Sequence, residues 1–219
     1  MQNIAVILAA GTGSRAGEGE PKQFRLLPDG KSVLETCVAA FAACSEIASV
    51  CVVTHPDFAG RTRALLHDER IVVVNGGKER WESSWNAIKA LSGKQEVNVL
   101  VHDCARPFVS QRIISDVCKA LETHEAVTVA VPATDTLYRV QNGCVAEIPQ
   151  RAEYMRAQTP QAFRLALIRK AYELALQDPE GVAVTDDCGI VKRYLPAQEI
   201  FIVAGEEANR KLTYKEDFV

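Results

Sequence analysis

The chain reads as an α/β protein with a mainly parallel, twisted sheet and helices on both faces. Short apolar runs, mostly β-branched, recur along the sequence, and stretches with helical spacing of apolar residues lie between them. Strand and helix in alternation are closed most economically by right-handed crossovers between parallel strands. Size adds a third observation. At 219 residues and 47% apolar content one sizeable core suffices, so a single domain over residues 1–219 is expected.

The first run, Ile4–Ala9, predicts a strand, and Val33–Ala43 a helix that Ser32-Val33-Leu34-Glu35 opens with a capping box. Strands follow at Val50–Thr54, Ile71–Val74, Val97–His102, Val127–Val131 and Ile200–Val203. Helices are expected at Ala59–Leu66, Glu82–Leu91, Ile113–Thr123 and Leu165–Leu176. Because the strand runs are apolar without alternation, all are expected to be buried on both faces. Residues 133–158 break the pattern with Thr-Asp-Thr, an Asn142-Gly143 turn signal and short alternating stretches, which predict a β-hairpin or meander inserted in the sheet. Such an arm has too little apolar surface to stand alone, and a second subunit is the expected support. Ligands of a sheet of this kind bind beyond the carboxyl ends of its strands.

The formal charge of -3, with basic residues scattered along the chain, argues against a polyanion such as DNA as partner and for a small anion. The apolar run at Ile4–Ala10 is too short to span a bilayer and no charged segment precedes it, so a soluble cytoplasmic protein with no membrane partner is expected. The seven cysteines are odd in number and include no C-x-x-C pair, which suits reduced thiols packed as small hydrophobes. Cys104, in the polar cluster His102-Asp103-Cys104-Ala105-Arg106, is also open to reading as an activated nucleophile.

The chemistry begins where the first strand ends. Ala9-Ala10-Gly11-Thr12-Gly13-Ser14-Arg15 leads to Pro21-Lys22-Gln23-Phe24, and small residues there let main-chain N–H groups approach an anion while Arg15 and Lys22 bring charge. Taken alone the glycines fit an ordinary turn equally well; their spacing is wrong for a dinucleotide fingerprint and lacks the Gly-Lys-Ser/Thr ending of a P-loop. At the end of a later strand stands Asp103, placed to hold Mg²⁺ while nucleotide phosphates supply further oxygens. Its structural alternative is an Asp103–Arg106 pair capping the next helix. His102 reads as a packed strand-end residue. Gly76-Gly77-Lys78-Glu79-Arg80, Arg151 with Gln158-Thr159-Pro160-Gln161, Thr185-Asp186-Asp187 and Asn209-Arg210-Lys211 complete the polar set, and together they line one crevice edge with cations.

With AAGTGSR and PKQF, GGKERWESSWNAI, VHDCARPF, PATDT, QTPQAF, VTDD and NRKLT in this order, the chain resembles the 2-C-methyl-D-erythritol 4-phosphate cytidylyltransferases of the nucleotide-diphospho-sugar transferase superfamily, from Ile4 to Asp217. The resemblance implies their Rossmann-like fold, CTP and a polyol phosphate as substrates, Mg²⁺ or another divalent cation, and a homodimer joined by the arm. It implies that Ala9, Ala10, Gly11, Gly13, Gly77 and Ser83 form the nucleotide site, and that Asp103 orients the metal and the ribose. Arg15, Lys22 and Lys211 would stabilise charge on the phosphates. Thr136 and Arg151 would grip the polyol phosphate in the neighbour's site, with Arg106 and Thr159 in support.

Cys104 and Cys188 stand where such enzymes often carry alanine, and the chain ends at Val219, where they usually continue into another helix. Ribitol-5-phosphate cytidylyltransferases share nearly all these motifs, so ribitol phosphate is the alternative acceptor. A non-catalytic nucleotide-binding module is the alternative of another class, which the retained set Arg15, Lys22, Asp103, Arg151 and Lys211 disfavours.

Overall fold

The computed structural model describes residues 1–11, 20–91, 93, 96–179, 182 and 184–218. Among the described residues nine strands form: β1 Gln2–Ala9, β2 Ile47–Thr54, β3 Ile71–Asn75, β4 Val97–Asp103, β5 Ala126–Pro132, β6 Arg139–Gln141, β7 Cys144–Glu147, β8 Met155–Arg164 and β9 Phe201–Ala204. Seven of them make one sheet in the order β3-β2-β1-β4-β8-β5-β9, while β6 and β7 pair apart from it. The pairings of β1 with β2 and β4, β2 with β3, and β5 with β9 are parallel, whereas β8 runs antiparallel to both neighbours.

The α-helices among the described residues are α1 Val33–Ala42, α2 Ala59–Leu65, α3 Arg80–Ala90, α4 Gln111–Ala120, α5 Leu165–Ala175 and α6 Asp187–Tyr194. The sheet carries a core on each face because successive side chains of a strand point to opposite sides. On β1, Ala5, Ile7 and Ala9 join the core built with Val33 and Leu34 of α1 and Ile113 and Val117 of α4. Ile4 and Val6 join the other, with Ile88 of α3, Ile168 and Tyr172 of α5 and Ile190 of α6. Each such aliphatic side chain, fully buried, contributes roughly 1.5–3 kcal/mol.

Ser32 caps α1 as expected: its hydroxyl accepts from the Glu35 N–H, and the Glu35 carboxylate accepts from the Ser32 N–H at 2.8 Å. No helix among the described residues is long and apolar enough to cross a membrane.

Several expectations need correction. The two outer strands are not buried on both faces: Val72 of β3, Phe201 and Ile202 of β9 are all exposed, because an edge strand has helix cover over only part of its surface. The hairpin is not inserted in the main sheet but stands as its own two-stranded ribbon. Its Asn142-Gly143 turn has positive φ at both residues, which is what a two-residue hairpin turn demands. Two elements have no counterpart in the sequence reading, namely the central strand β8 and the helix α6.

Candidate active site

The strand order reverses between β1 and β4, and in an open α/β sheet that is where a crevice forms beyond the carboxyl ends. A cleft of about 680 Å³ lies there, lined by Ala9, Ala10 and Gly11 after β1, Gly76 and Gly77 after β3, Ser83 on α3, Asp103 at the end of β4, and Lys22 and Lys211. Its volume suits a nucleotide-sized ligand.

The turn after β3 is shaped by close approach. A Cβ on Gly76 would collide with the Ala10 side chain and approach Ser83 Oγ to 2.9 Å, and one on Gly77 would collide with Glu82. Ser83 is buried, and its Oγ accepts from the Gly77 N–H at 3.1 Å and donates to the Glu79 carbonyl at 3.2 Å. Ser83 therefore sets the shape of the glycine turn against the Ala9–Gly11 loop.

Asp103 is the node of the site. Its Oδ1 accepts from Arg80 Nε at 3.0 Å and its Oδ2 from Lys211 Nζ at 2.6 Å. Burial alone would raise the carboxyl's pKa, but Arg80 and then Lys211 outweigh it and hold Asp103 well below the usual carboxylate range. Arg80 also donates from Nη1 to Asp187 Oδ2 at 2.7 Å, and the fully buried Asp187 accepts from the Tyr172 hydroxyl at 2.7 Å. Burial opposes the Arg80 charge, yet Asp187 and Asp103 together stabilise it further.

Beneath Asp103 the backbone is fastened. Thr159 Oγ1 accepts from the Asp103 N–H at 3.1 Å and lies 3.0 Å from His102 Nδ1, while His102 Nε2 lies 3.0 Å from the Arg106 carbonyl. A carbonyl only accepts, so Nε2 carries the proton and Nδ1 accepts from the threonine. Burial pushes the His102 pKa down to about 4, and the ring is a neutral packing group.

Arg106 does not pair with Asp103. Its guanidinium donates to the carbonyls of Asn209 at 2.8 Å and Ala157 at 3.3 Å, tying down the segment that delivers Lys211, and α4 is capped by Ser110 instead. Arg106 and Thr159 thus hold the site together from behind.

Lys22 Nζ donates to the Thr213 carbonyl at 2.5 Å across the mouth of the cleft. Gly13 and Arg15 lie outside the described residues. Thr136 and Arg151 are exposed and take no part in the cleft lining; Arg151 donates to the Thr134 carbonyl at 2.7 Å. Cys104 is buried in the core against which the cleft is built.

Arg80 was visible within the glycine motif and Asp187 within Thr185-Asp186-Asp187, but nothing in either motif says that one side chain joins both acids. Lys78 and His55 also line the cleft.

The donor set suits a divalent cation only in part. Among the described residues no group of three or more His, Cys, Asp or Glu side chains could hold a metal ion on its own. Asp103 offers one carboxylate facing a cleft rich in cations, so a bound ion would take its remaining ligands from phosphate oxygens and water, as Mg²⁺ commonly does.

A sequence profile for 2-C-methyl-D-erythritol 4-phosphate cytidylyltransferase matches residues 3–219. The chain belongs to that family. It is 41% identical to the 2-C-methyl-D-erythritol 4-phosphate cytidylyltransferase of Thermobifida fusca, over 97% of this chain and 89% of that protein. It is also 41% identical to the bifunctional ribulose 5-phosphate reductase/CDP-ribitol pyrophosphorylase of Haemophilus influenzae, over 97% of this chain and 46% of that protein, so it spans about half of that relative's length. The 4-diphosphocytidyl-2C-methyl-D-erythritol synthase of Anaerococcus prevotii superposes with a TM-score of 0.87 at 30% identity, covering 99% of this chain and 92% of that one. The fold is the Rossmann-like one of the family's solved structures.

Proposed function

We propose that the protein transfers CMP from CTP to 2-C-methyl-D-erythritol 4-phosphate, releasing pyrophosphate and giving 4-diphosphocytidyl-2-C-methyl-D-erythritol. The observation that carries this reading is the convergence of Lys22, Arg80, Lys211 and Asp103 on a cleft at the switch point of the sheet, beside a tight glycine turn. A phosphate monoester is largely a dianion near neutral pH, with a second pKa of about 6, so the acceptor needs no general base. Its oxygen attacks the α-phosphorus in line and pyrophosphate leaves. Catalysis then consists of bringing two anions together and neutralising the charge that develops between them.

Lys22 and Lys211, with Arg15 of the Ala9–Arg15 sequence motif, supply that neutralisation. Lys211 exchanges Asp103 for a phosphate when the nucleotide enters. Asp103 with the triphosphate oxygens would hold Mg²⁺, which when bound screens the phosphate charge. Thr136 and Arg151 hold the acceptor's phosphate in a homodimer, each arm serving the other subunit's cleft. Support for this comes from Tyr138, Val140, Val145 and Ile148, large apolar side chains left exposed on and beside the arm.

The Haemophilus relative, at the same 41% identity, gives ribitol 5-phosphate a specific claim as the acceptor. Pyrophosphate release measured with CTP, UTP and ATP against both polyol phosphates decides the matter. Release dependent on CTP, a divalent cation and methylerythritol phosphate is expected, with UTP and ATP much poorer. Equal turnover with ATP would sink the nucleotide assignment, and faster turnover with ribitol phosphate would reverse the acceptor.

A further inference from the structure

The acidic pair Asp186-Asp187 opens α6 outside the cleft lining, and Asp187 is fully buried, so it cannot touch a ligand. We propose that Asp187 is a positioning residue for the nucleotide half of the reaction, acting through Arg80 to hold Asp103 in the orientation that the nucleotide meets. The inference rests on the CTP reading given above.

The contacts form one chain. Arg80 presents Nε to Asp103 Oδ1 at 3.0 Å and Nη1 to Asp187 Oδ2 at 2.7 Å, and because the guanidinium is planar and rigid, fixing one edge fixes the other. Asp187 is in turn bolted down. Tyr172 donates to its Oδ1, and its own N–H donates to Gln161 Oε1 at 3.0 Å. Gln161 Nε2 donates to Asp186 Oδ2 at 2.7 Å, and Asp186 Oδ1 accepts from the Gly189 N–H at 2.8 Å, so the start of α6 is locked to β8.

The other holder of Asp103 is different in kind. The Lys211 side chain is 43% exposed on a flexible stem, against 27% for Arg80 and none for Asp187. Once Lys211 turns to a phosphate, Arg80 is the holder that remains, and Asp187 sets where Arg80 points. Stability alone is a poor account of this arrangement. Among the described residues Arg80 Nη2 is buried without an acceptor, and buried ion pairs that leave polar groups unsatisfied contribute little net stability.

The test is a double-mutant cycle of Asp187→Asn and Arg80→Lys, with Ile168→Ala as a destabilised control that touches only the apolar core. CTP affinity is measured by calorimetry with Mg²⁺, kcat and KM are measured for both substrates, and the Arg80 Nε–H signal is followed by NMR, assigned by its loss in Arg80→Lys. Asp187→Asn should lower kcat/KM for CTP roughly tenfold, as loss of an outer partner of a ligating group typically does, and leave the acceptor KM within about twofold. In the Arg80→Lys background it should add little. Ile168→Ala, at a similar loss of Tm, should keep the wild-type kcat/KM. Additive effects, or a normal kcat/KM for CTP in Asp187→Asn, would overturn the inference. Failure of the wild-type protein to bind CTP would remove the functional reading instead. The NMR signal then still decides: broadening of the Arg80 signal in Asp187→Asn supports the wiring, and an unchanged signal overturns it.

Discussion

The cleft and the arm are built on opposite plans. Around the cleft, side chains far apart in sequence are joined by direct bonds. Asp103 meets Arg80 and Lys211, Arg80 meets Asp187, and Lys22 reaches the Thr213 carbonyl. On the arm, Thr136 and Arg151 are exposed, β6 and β7 pair only with each other in the described sheets, and apolar side chains face outward. In the cleft, which the proposed reading gives to the nucleotide, charges are thus held in place before any ligand arrives. On the proposed reading the arm is the acceptor half, left open until a partner's cleft closes against it.

If that contrast is right, substitutions in the two regions should fail in different ways. Lys22→Ala should give the largest loss, roughly 10²–10³ in kcat by analogy with the removal of one oxyanion-hole donor, because its charge counts most in the transition state. Arg151→Ala should instead raise the KM for the polyol phosphate, about tenfold or more, while CTP binding stays normal. Steady-state constants for each substrate separate the two, and a loss of CTP affinity alone in Arg151→Ala would break the comparison.

A smaller effect sharpens it from the side of stability. His102 titrates near 4 in the folded protein against 6.5 in an unfolded chain, so between these values the unfolded state binds more protons. Stability should be fully present above about pH 6.5 and fall as pH drops toward 4, by about 3 kcal/mol from this group. Denaturant titrations across that range should show a shallower slope for His102→Gln, and an unchanged slope for Arg151→Ala.

Much of this was legible in the sequence, and the failures have physical causes. The strands β1, β2, β4 and β5 announced themselves because a strand covered on both faces must be apolar throughout. Strand β8 stayed hidden because Gln158, Thr159 and Gln161 are polar yet buried, and their side chains serve as the fasteners of Asn209, His102 and α6. What hid the strand is the same wiring that holds the site. Helix α6 is only eight residues long, too short for its periodicity to stand out. The arm's turn was readable from Asn142-Gly143, since few other pairs accept two positive φ angles.

At the site, Asp103 was legible from its place at a strand end. The partnership of Arg80 with Asp103 and Asp187 was not, because it spans 23 and 107 residues of sequence and depends on which strands become neighbours.

The most direct test of the division between cleft and arm is subunit mixing. Lys22→Ala protein and Arg151→Ala protein are combined under conditions where dimers exchange, and heterodimer formation is confirmed by mass spectrometry. Pyrophosphate release from CTP is assayed at a polyol-phosphate concentration well below the raised KM of Arg151→Ala, where each parent alone is slow. If the arm completes the partner's cleft, a heterodimer has one site with both lesions and one with neither, following isologous symmetry. Activity should then return to about half of wild type per heterodimer. If both residues act within one chain, every site keeps a lesion, and a confirmed heterodimer no more active than its parent proteins would contradict the account.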